Sequence, residues 1–310
     1  MNCFHPQLLR NPAYGGANIR LHKLGPYIQV DCKKCVACLR KKSRSICFKL
    51  DSEALYSDFP VMWLTLTYND ESCPDQLSRE HIKLFMKRLR KQYLNSWLHF
   101  HYGVSLYHYL KHRDETLFSS VQLPRLKYWY CGEYGDTFGR PHYHLFLFHF
   151  DISIMDHQRI EDCWSNGFVN FGDAEQGSTV YSTLYSFVKL LEEDGHEVPP
   201  FCVSSTGLGL QWLLDHLDYI LSHPDRPYLE RNHIKYPFPD SYKRFLKDNY
   251  NFCFDLDEMV DFLSHNRQRF EADYRKLDSA EAVDCYNSLV SVIERNEINN
   301  LLRMKKHLNG

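Results

Sequence analysis

The period of apolar and polar residues changes several times along this chain, and each change marks an element. Val61 to Tyr68 alternates with period two and is rich in Thr, Leu and aromatic residues, which predicts a strand. Ser78 to Tyr93 carries Ile82, Leu84, Phe85 and Leu89 at helical spacing, behind a serine placed to cap the first turn. Arg125 to Tyr134 and His142 to Phe150 read as two strands joined through turn formers, hence a hairpin. Ile154 to Ser165 predicts a helix, Gly167 to Phe171 a short strand, and Thr179 to Leu191 another helix. The order β-α-β-β-α-β-α describes an α+β fold: a split βαβ antiparallel sheet with helices against one face. Further helices are expected around Leu210 to Ser222, Asp257 to Lys276 and Ser279 to Leu308, giving a mostly helical C-terminal region. Three segments follow: a Cys-rich basic stretch over 1–55, a core over 56–195 with an insertion at about 95–123, and an extension over 196–310.

The strand from His142 carries the first chemistry. His142 and His144 flank one bulky residue, so both imidazoles share a strand face and form half of a transition-metal site. Surface imidazoles on an edge strand are the bland alternative. A metal serving phosphoryl transfer needs at least one more protein ligand and an open side for substrate. Glu133 lies nine residues before His142, across Gly135 to Arg140, and the hairpin would bring it opposite the histidines. Asp136 reads as a turn residue. Two imidazoles and a carboxylate suit Mg²⁺ or Mn²⁺ for phosphate chemistry, with zinc or cobalt also accepted.

Downstream, Tyr181, Tyr185 and Lys189 lie four apart and would line one stripe of a helix. A phenol oxygen can attack a DNA phosphate and hold the strand as a phosphotyrosine ester. A second phenol permits a second transfer while the first is occupied, and Lys189 would lower a phenol's pKa or offset charge on phosphorus. The competing reading is an aromatic stripe packing that helix into the core.

Composition narrows the partners. The chain has 310 residues, 44 % of them hydrophobic and 15 % aromatic, enough for a core. No apolar run reaches a membrane span and no secretory pattern opens the chain, so the expected setting is a bacterial cytoplasm without membrane contact. A formal charge of −2 hides local clustering, since Lys33, Lys34, Arg40, Lys41, Lys42 and Arg44 fall in one segment. That segment is the expected DNA contact. Among 11 cysteines, Cys32, Cys35 and Cys38 are spaced to wrap one ion. Cys3 is the expected fourth ligand of a structural zinc, with Cys47 and Cys163 in reserve. Reduced thiols without metal are the alternative.

Together these motifs resemble the HUH endonuclease superfamily, and within it the replication initiators of microviruses, especially the gokushovirus group. The resemblance rests on the threonine-rich strand Trp63 to Asp70, on His142-Tyr143-His144, and on Tyr181-x-x-x-Tyr185-x-x-x-Lys189. It rests also on Cys32-Lys33-Lys34-Cys35-Val36-Ala37-Cys38-Leu39, where Lys33 stands at a position usually glycine. Ser204 to Gly209 and Tyr236 to Arg244 look like the family's glycine-rich and Pro-x-x-Tyr-Arg segments, and nothing after about Leu246 is similar. The resemblance implies an HUH-endonuclease-like sheet and nicking of single-stranded origin DNA with a covalent 5′-phosphotyrosine intermediate. It implies strand rejoining, completion of the metal site by an acidic residue at Glu133, and host helicase and polymerase as partners, since no phosphate-binding loop is present. A transposase or relaxase of the same superfamily, a zinc-stabilised DNA-binding protein without catalysis, and a metal-dependent hydrolase are the rival readings.

Overall fold

A computed structural model describes residues 3–10, 26–116, 118–135, 137–173, 196–226, 228–231, 234–254 and 295. The chain divides into two compact units, Lys49–Trp212 and Met1–Phe48 with Leu213–Gly310.

In chain order the described elements are strands β1 (Gln7–Arg10) and β2 (Tyr27–Val30), helix α1 (Val36–Leu55), strand β3 (Met62–Tyr68), and helices α2 (Arg79–Tyr102) and α3 (Leu106–His112). Strands β4 (Lys127–Tyr134) and β5 (Pro141–Phe148), helix α4 (His157–Glu161), and strands β6 (Gly167–Asp173) and β7 (Phe201–Ser204) follow. Helices α5 (Leu210–Asp215) and α6 (Leu217–Ser222), the hairpin strands β8 (Tyr228–Arg231) and β9 (Ile234–Pro237), and helix α7 (Asp240–Tyr250) complete the set.

The Lys49–Trp212 unit is built on a five-stranded sheet in the order β6-β3-β5-β4-β7, every neighbour antiparallel. This is the α+β architecture that the periodicity predicts. Strand pleating sorts the residues. Leu64, Leu66, Tyr130, Tyr143, Leu145 and Leu147 face a core completed by Ile82, Phe85, Met86 and Leu89 of α2 and by Ile160 of α4. The helices therefore cover one face and leave the other for chemistry. Each large side chain buried there contributes roughly 1.5–3 kcal/mol of transfer free energy.

Helix α2 begins as the sequence predicts, with the Ser78 side chain accepting a hydrogen bond from the His81 N–H at 3.2 Å. It runs past the expected end at Tyr93 to Tyr102, where Gly103 adopts φ +68° and its N–H closes the last turn on His99 O. Tyr143 bonds this start to the sheet: its hydroxyl donates to Ser78 O at 2.8 Å and accepts from Ser78 N at 2.9 Å.

Three expectations are corrected. Helix 154–165 shrinks to α4, because Asp156 caps it late and the Trp164 indole, donating to Thr67 O at 2.9 Å, takes the following chain to the sheet. The expected helix from Leu210 is two short ones, α5 and α6. Helix α1 and the short strands β1, β2, β7, β8 and β9 lie outside the predicted elements. In α1 several buried positions are Ser43, Ser52 and Glu53, so its inner face is not marked by hydrophobicity. The helices expected over 179–191, 257–276 and 279–308 lie outside the described residues. No helix among the described residues is long and apolar enough to cross a membrane.

Glu53 shows how a buried charge is accommodated. Its side chain is 2 % exposed, yet His149 Nε2 approaches it at 2.7 Å and Lys127 Nζ at 2.9 Å. The Gly209 N–H completes the set at 2.5 Å, in a loop where φ of +71° favours glycine. Burial raises the acid's pKa, but these donors outweigh it and hold the carboxyl below its ordinary value. Glu53→Ala would strand His149 and Lys127 and cost about 3–5 kcal/mol at neutral pH. Because the folded pKa is depressed, that contribution is present above the free-glutamate value of about 4.3 and lost as pH falls below it. Urea denaturation at neutral and acid pH checks both statements: the gap between wild type and variant should narrow in acid.

Candidate functional site

The open sheet face is ordered by register. In β5 the alternation puts Tyr143, Leu145 and Leu147 into the core and His142 and His144 on the other side. Glu133 of β4 pairs with His142, and Cys131 with His144, so Glu133 and both imidazoles share a face. Thr67 and Thr65 of β3 pair with the same two histidines from the opposite side.

One carboxylate oxygen is the focus. Glu133 Oε1 lies 3.1 Å from His142 Nε2 and 3.2 Å from His144 Nε2. The other ring nitrogens are held by the protein: His144 Nδ1 meets Thr65 Oγ1 at 2.9 Å, and His142 Nδ1 meets Arg140 O at 3.3 Å. When Nδ1–H donates to the Arg140 carbonyl, the Nε2 of a neutral ring keeps its lone pair directed at Glu133. This is the outer support typical of metal-ligating histidines. The chemistry of the donor set fits a divalent ion, since ligands about 2.1 Å from a metal at right angles lie about 3 Å apart. Glu133 is 1 % exposed, while the imidazoles are 18 % and 20 % exposed, so access is from the histidine side.

Burial alone would raise the Glu133 pKa. Hydrogen bonds and charge interaction with His142 and His144 overcome that and bring it down to about 2. The group is therefore a carboxylate across the physiological range, as a ligand must be.

The hairpin that aligns these residues closes through Gly135 N–H to Arg140 O at 2.9 Å, with Gly139 at φ +62°. Arg140 also donates to Tyr68 O at 3.1 Å and pairs with Asp70, fixing the loop against the end of β3. Asp136 lies outside the described residues.

Sequence reasoning identified the threonine-rich strand without giving Thr65 its place behind His144; the shared face of Thr65 and Thr67 was the available signal. It also missed Phe168, which pairs with Thr67 on this face and is 67 % exposed. Tyr181, Tyr185 and Lys189 lie outside the described residues.

The second cluster belongs to the unit containing the chain's first 48 residues. The Sγ atoms of Cys3, Cys32, Cys35 and Cys38 all lie within 4.8 Å of one another. The two reserve cysteines are elsewhere: Cys47 is buried against Ser43, and Cys163 donates to Arg159 O at 3.2 Å. Lys33, with φ +62°, and Lys34 are exposed on the loop between Cys32 and Cys35. On α1, Lys41, Lys42 and Arg44 are exposed and Arg40 is half-buried, with Lys41 paired to Asp31 at 2.8 Å.

Residues 61–189 match the family model of the replication-associated protein ORF2 type. The match runs from the start of the threonine-rich strand to Lys189. The chain is 26 % identical over 238 residues to replication-associated protein VP4 of Bdellovibrio phage phiMH2K, covering 71 % of this chain and 68 % of that protein. It is 24 % identical over 241 residues to replication-associated protein ORF4 of Chlamydia phage 1, covering 70 % of this chain but only 53 % of that protein. Replication-associated protein ORF2 of Spiroplasma virus 4 is 27 % identical over 213 residues, covering 62 % and 59 %. The aligned region thus spans about half the length of the Chlamydia phage relative. No solved structure matches the chain.

Two outcomes follow from the geometry. A hundredfold excess of Mn²⁺ over its Kd should stabilise the protein by about 2.7 kcal/mol, a melting shift of roughly 5–10 °C, and Glu133→Ala or His144→Ala should abolish the shift. Without metal, the stability that Glu133 owes to its imidazoles is present above about pH 4.3 and lost as pH falls towards 2. Chemical denaturation of wild type and Glu133→Gln across that range should show the gap closing in acid.

Proposed function

The chain is related to the replication-associated proteins of microviruses, and from that premise we propose that it initiates rolling-circle replication of a single-stranded DNA phage. The observation that carries this is the convergence of Glu133, His142 and His144 on the open face of the sheet. Kinship alone supports a part in phage DNA replication. The convergent ligands supply a reason to assign it the nicking step.

Glu133, His142 and His144 would hold Mg²⁺ or Mn²⁺. When bound, such an ion polarises a phosphate oxygen and offsets the charge that develops on it. The protein's own groups do the rest. Thr65 and the Arg140 carbonyl orient the imidazoles, and the open face admits an extended single strand. Tyr181 or Tyr185 supplies the nucleophile: its phenol oxygen forms a bond to phosphorus, the bond to the 3′ oxygen breaks, and that oxygen leaves as a hydroxyl after taking up a proton. The 5′ end remains on the protein as a phosphotyrosine ester. Lys189 offsets charge near the phenol. Host polymerase extends the free 3′-hydroxyl behind a host helicase. When the origin is regenerated, the other tyrosine cuts the new junction, and the released hydroxyl resolves the first ester into a closed circle. The setting is the cytoplasm of the infected bacterium.

The test uses labelled single-stranded origin DNA from the same genome, Mn²⁺, and denaturing gels of wild type, Tyr181→Phe, Tyr185→Phe and the double variant. A metal-dependent DNA–protein adduct that vanishes only in the double variant supports the proposal. Cleavage with no adduct replaces it with a hydrolase, and binding with neither outcome replaces it with a DNA-binding module.

A further inference from the structure

The four-cysteine cluster carries an inference that does not depend on the nicking chemistry. Cys3 Sγ lies 3.8 Å from Cys35 Sγ, and Cys32 Sγ lies 3.9 Å from Cys38 Sγ. A zinc–thiolate bond of about 2.3 Å gives a regular tetrahedron with sulfur–sulfur edges of about 3.8 Å. Disulfide sulfurs would be about 2.05 Å apart. With all four sulfurs inside 4.8 Å, the space between them holds a single ion and has no room for an iron cluster with bridging sulfides.

The surroundings agree with thiolate ligands. Cys32 N–H points at Cys3 Sγ (3.2 Å), Cys35 N–H at Cys32 Sγ (3.3 Å) and Phe4 N–H at Cys35 Sγ (3.5 Å). Backbone donors aimed at sulfur spread the negative charge that four thiolates would bring. Cys38 lies in the first turn of α1, which has no acidic residue there, so the helix N-terminus adds a favourable dipole. Lys33 occupies the left-handed region, at φ +62°, in the loop between Cys32 and Cys35. A lysine there carries conformational strain that glycine would avoid, a sign that the loop is shaped around its two sulfurs.

We propose that Cys3, Cys32, Cys35 and Cys38 bind one structural Zn²⁺ that fastens the N-terminal arm to the first turn of α1. Cys3 and Cys32 are 29 residues apart in sequence, so the ion closes a long loop that the short β1–β2 pair alone holds weakly. The zinc is a fastening, separate in ligand set from the histidine site, because soft thiolates select zinc and the imidazole–carboxylate set suits a harder ion.

The test measures metal content in the full-length protein carrying His142→Ala and His144→Ala, so that only the thiolate site remains. One zinc per chain, displaced by an organomercurial as four thiols become titratable, is the expected result. Cobalt substitution should then give intense visible bands of tetrahedral symmetry with sulfur-to-metal charge transfer in the near ultraviolet. Adding Cys35→Ser and Cys38→Ser should remove both the zinc and the cobalt spectrum. If that variant fails to fold, the cobalt spectrum of the histidine variant decides alone. A folded histidine variant with no stoichiometric metal, with iron in place of zinc, or with these cysteines paired as disulfides would overturn the assignment.

Discussion

A carboxylate buried on the floor of a sheet has to be satisfied, and much of this fold follows from how Glu133 is. At 1 % exposure it cannot turn to water, so its neighbours must supply the compensating charge or protons. Two imidazoles on the adjacent strand do so from one side, each oriented by a second contact to Thr65 or to the Arg140 carbonyl. Those contacts require three strands in fixed alignment. The alignment requires the opposite face to be anchored, which Tyr143 does by bonding to the start of α2. The core and the site are therefore two faces of the same pleated strands.

The same logic recurs at Glu53, where a histidine, a lysine and a backbone N–H surround another buried acid. Neither cluster is explained by stability alone, since a hydrophobic replacement of a buried ionic group is often no worse. At Glu133 the retained charge suits a metal ligand. At Glu53 it joins α1, the end of β5 and the glycine-rich loop into one connected piece within its unit.

The sheet and its site were legible in sequence for specific reasons. Strong alternation through Leu64, Leu66 and Leu145, Leu147 marked β3 and β5, and turn formers between Glu133 and His142 marked the hairpin that pairs β4 with β5. Ser78 announced the helix start because capping is a local interaction. Helix α1 was obscure because Ser43, Ser52 and Glu53 are buried in it, and Glu53 finds its partners far along the chain. The late start of α4 depended on Asp156, and its early end accompanies a tertiary bond from Trp164 to Thr67, which no local pattern records. Cys3 was the natural fourth sulfur by elimination, whereas the strained backbone of Lys33 emerges only in three dimensions.

The pairing of β4 with β5 also makes the histidine arrangement discrete. Pleating has a period of two, so sliding β5 by one residue turns both imidazoles inward and sets Tyr143 and Leu145 on the open face. There is no intermediate alignment in which the ligands are merely displaced. An added residue in the 135–140 loop leaves the register intact, while a single deletion within 141–148 inverts the site and empties the core together. The hairpin behaves as a reading frame in three dimensions, where the cost of a frameshift falls on folding before it reaches chemistry.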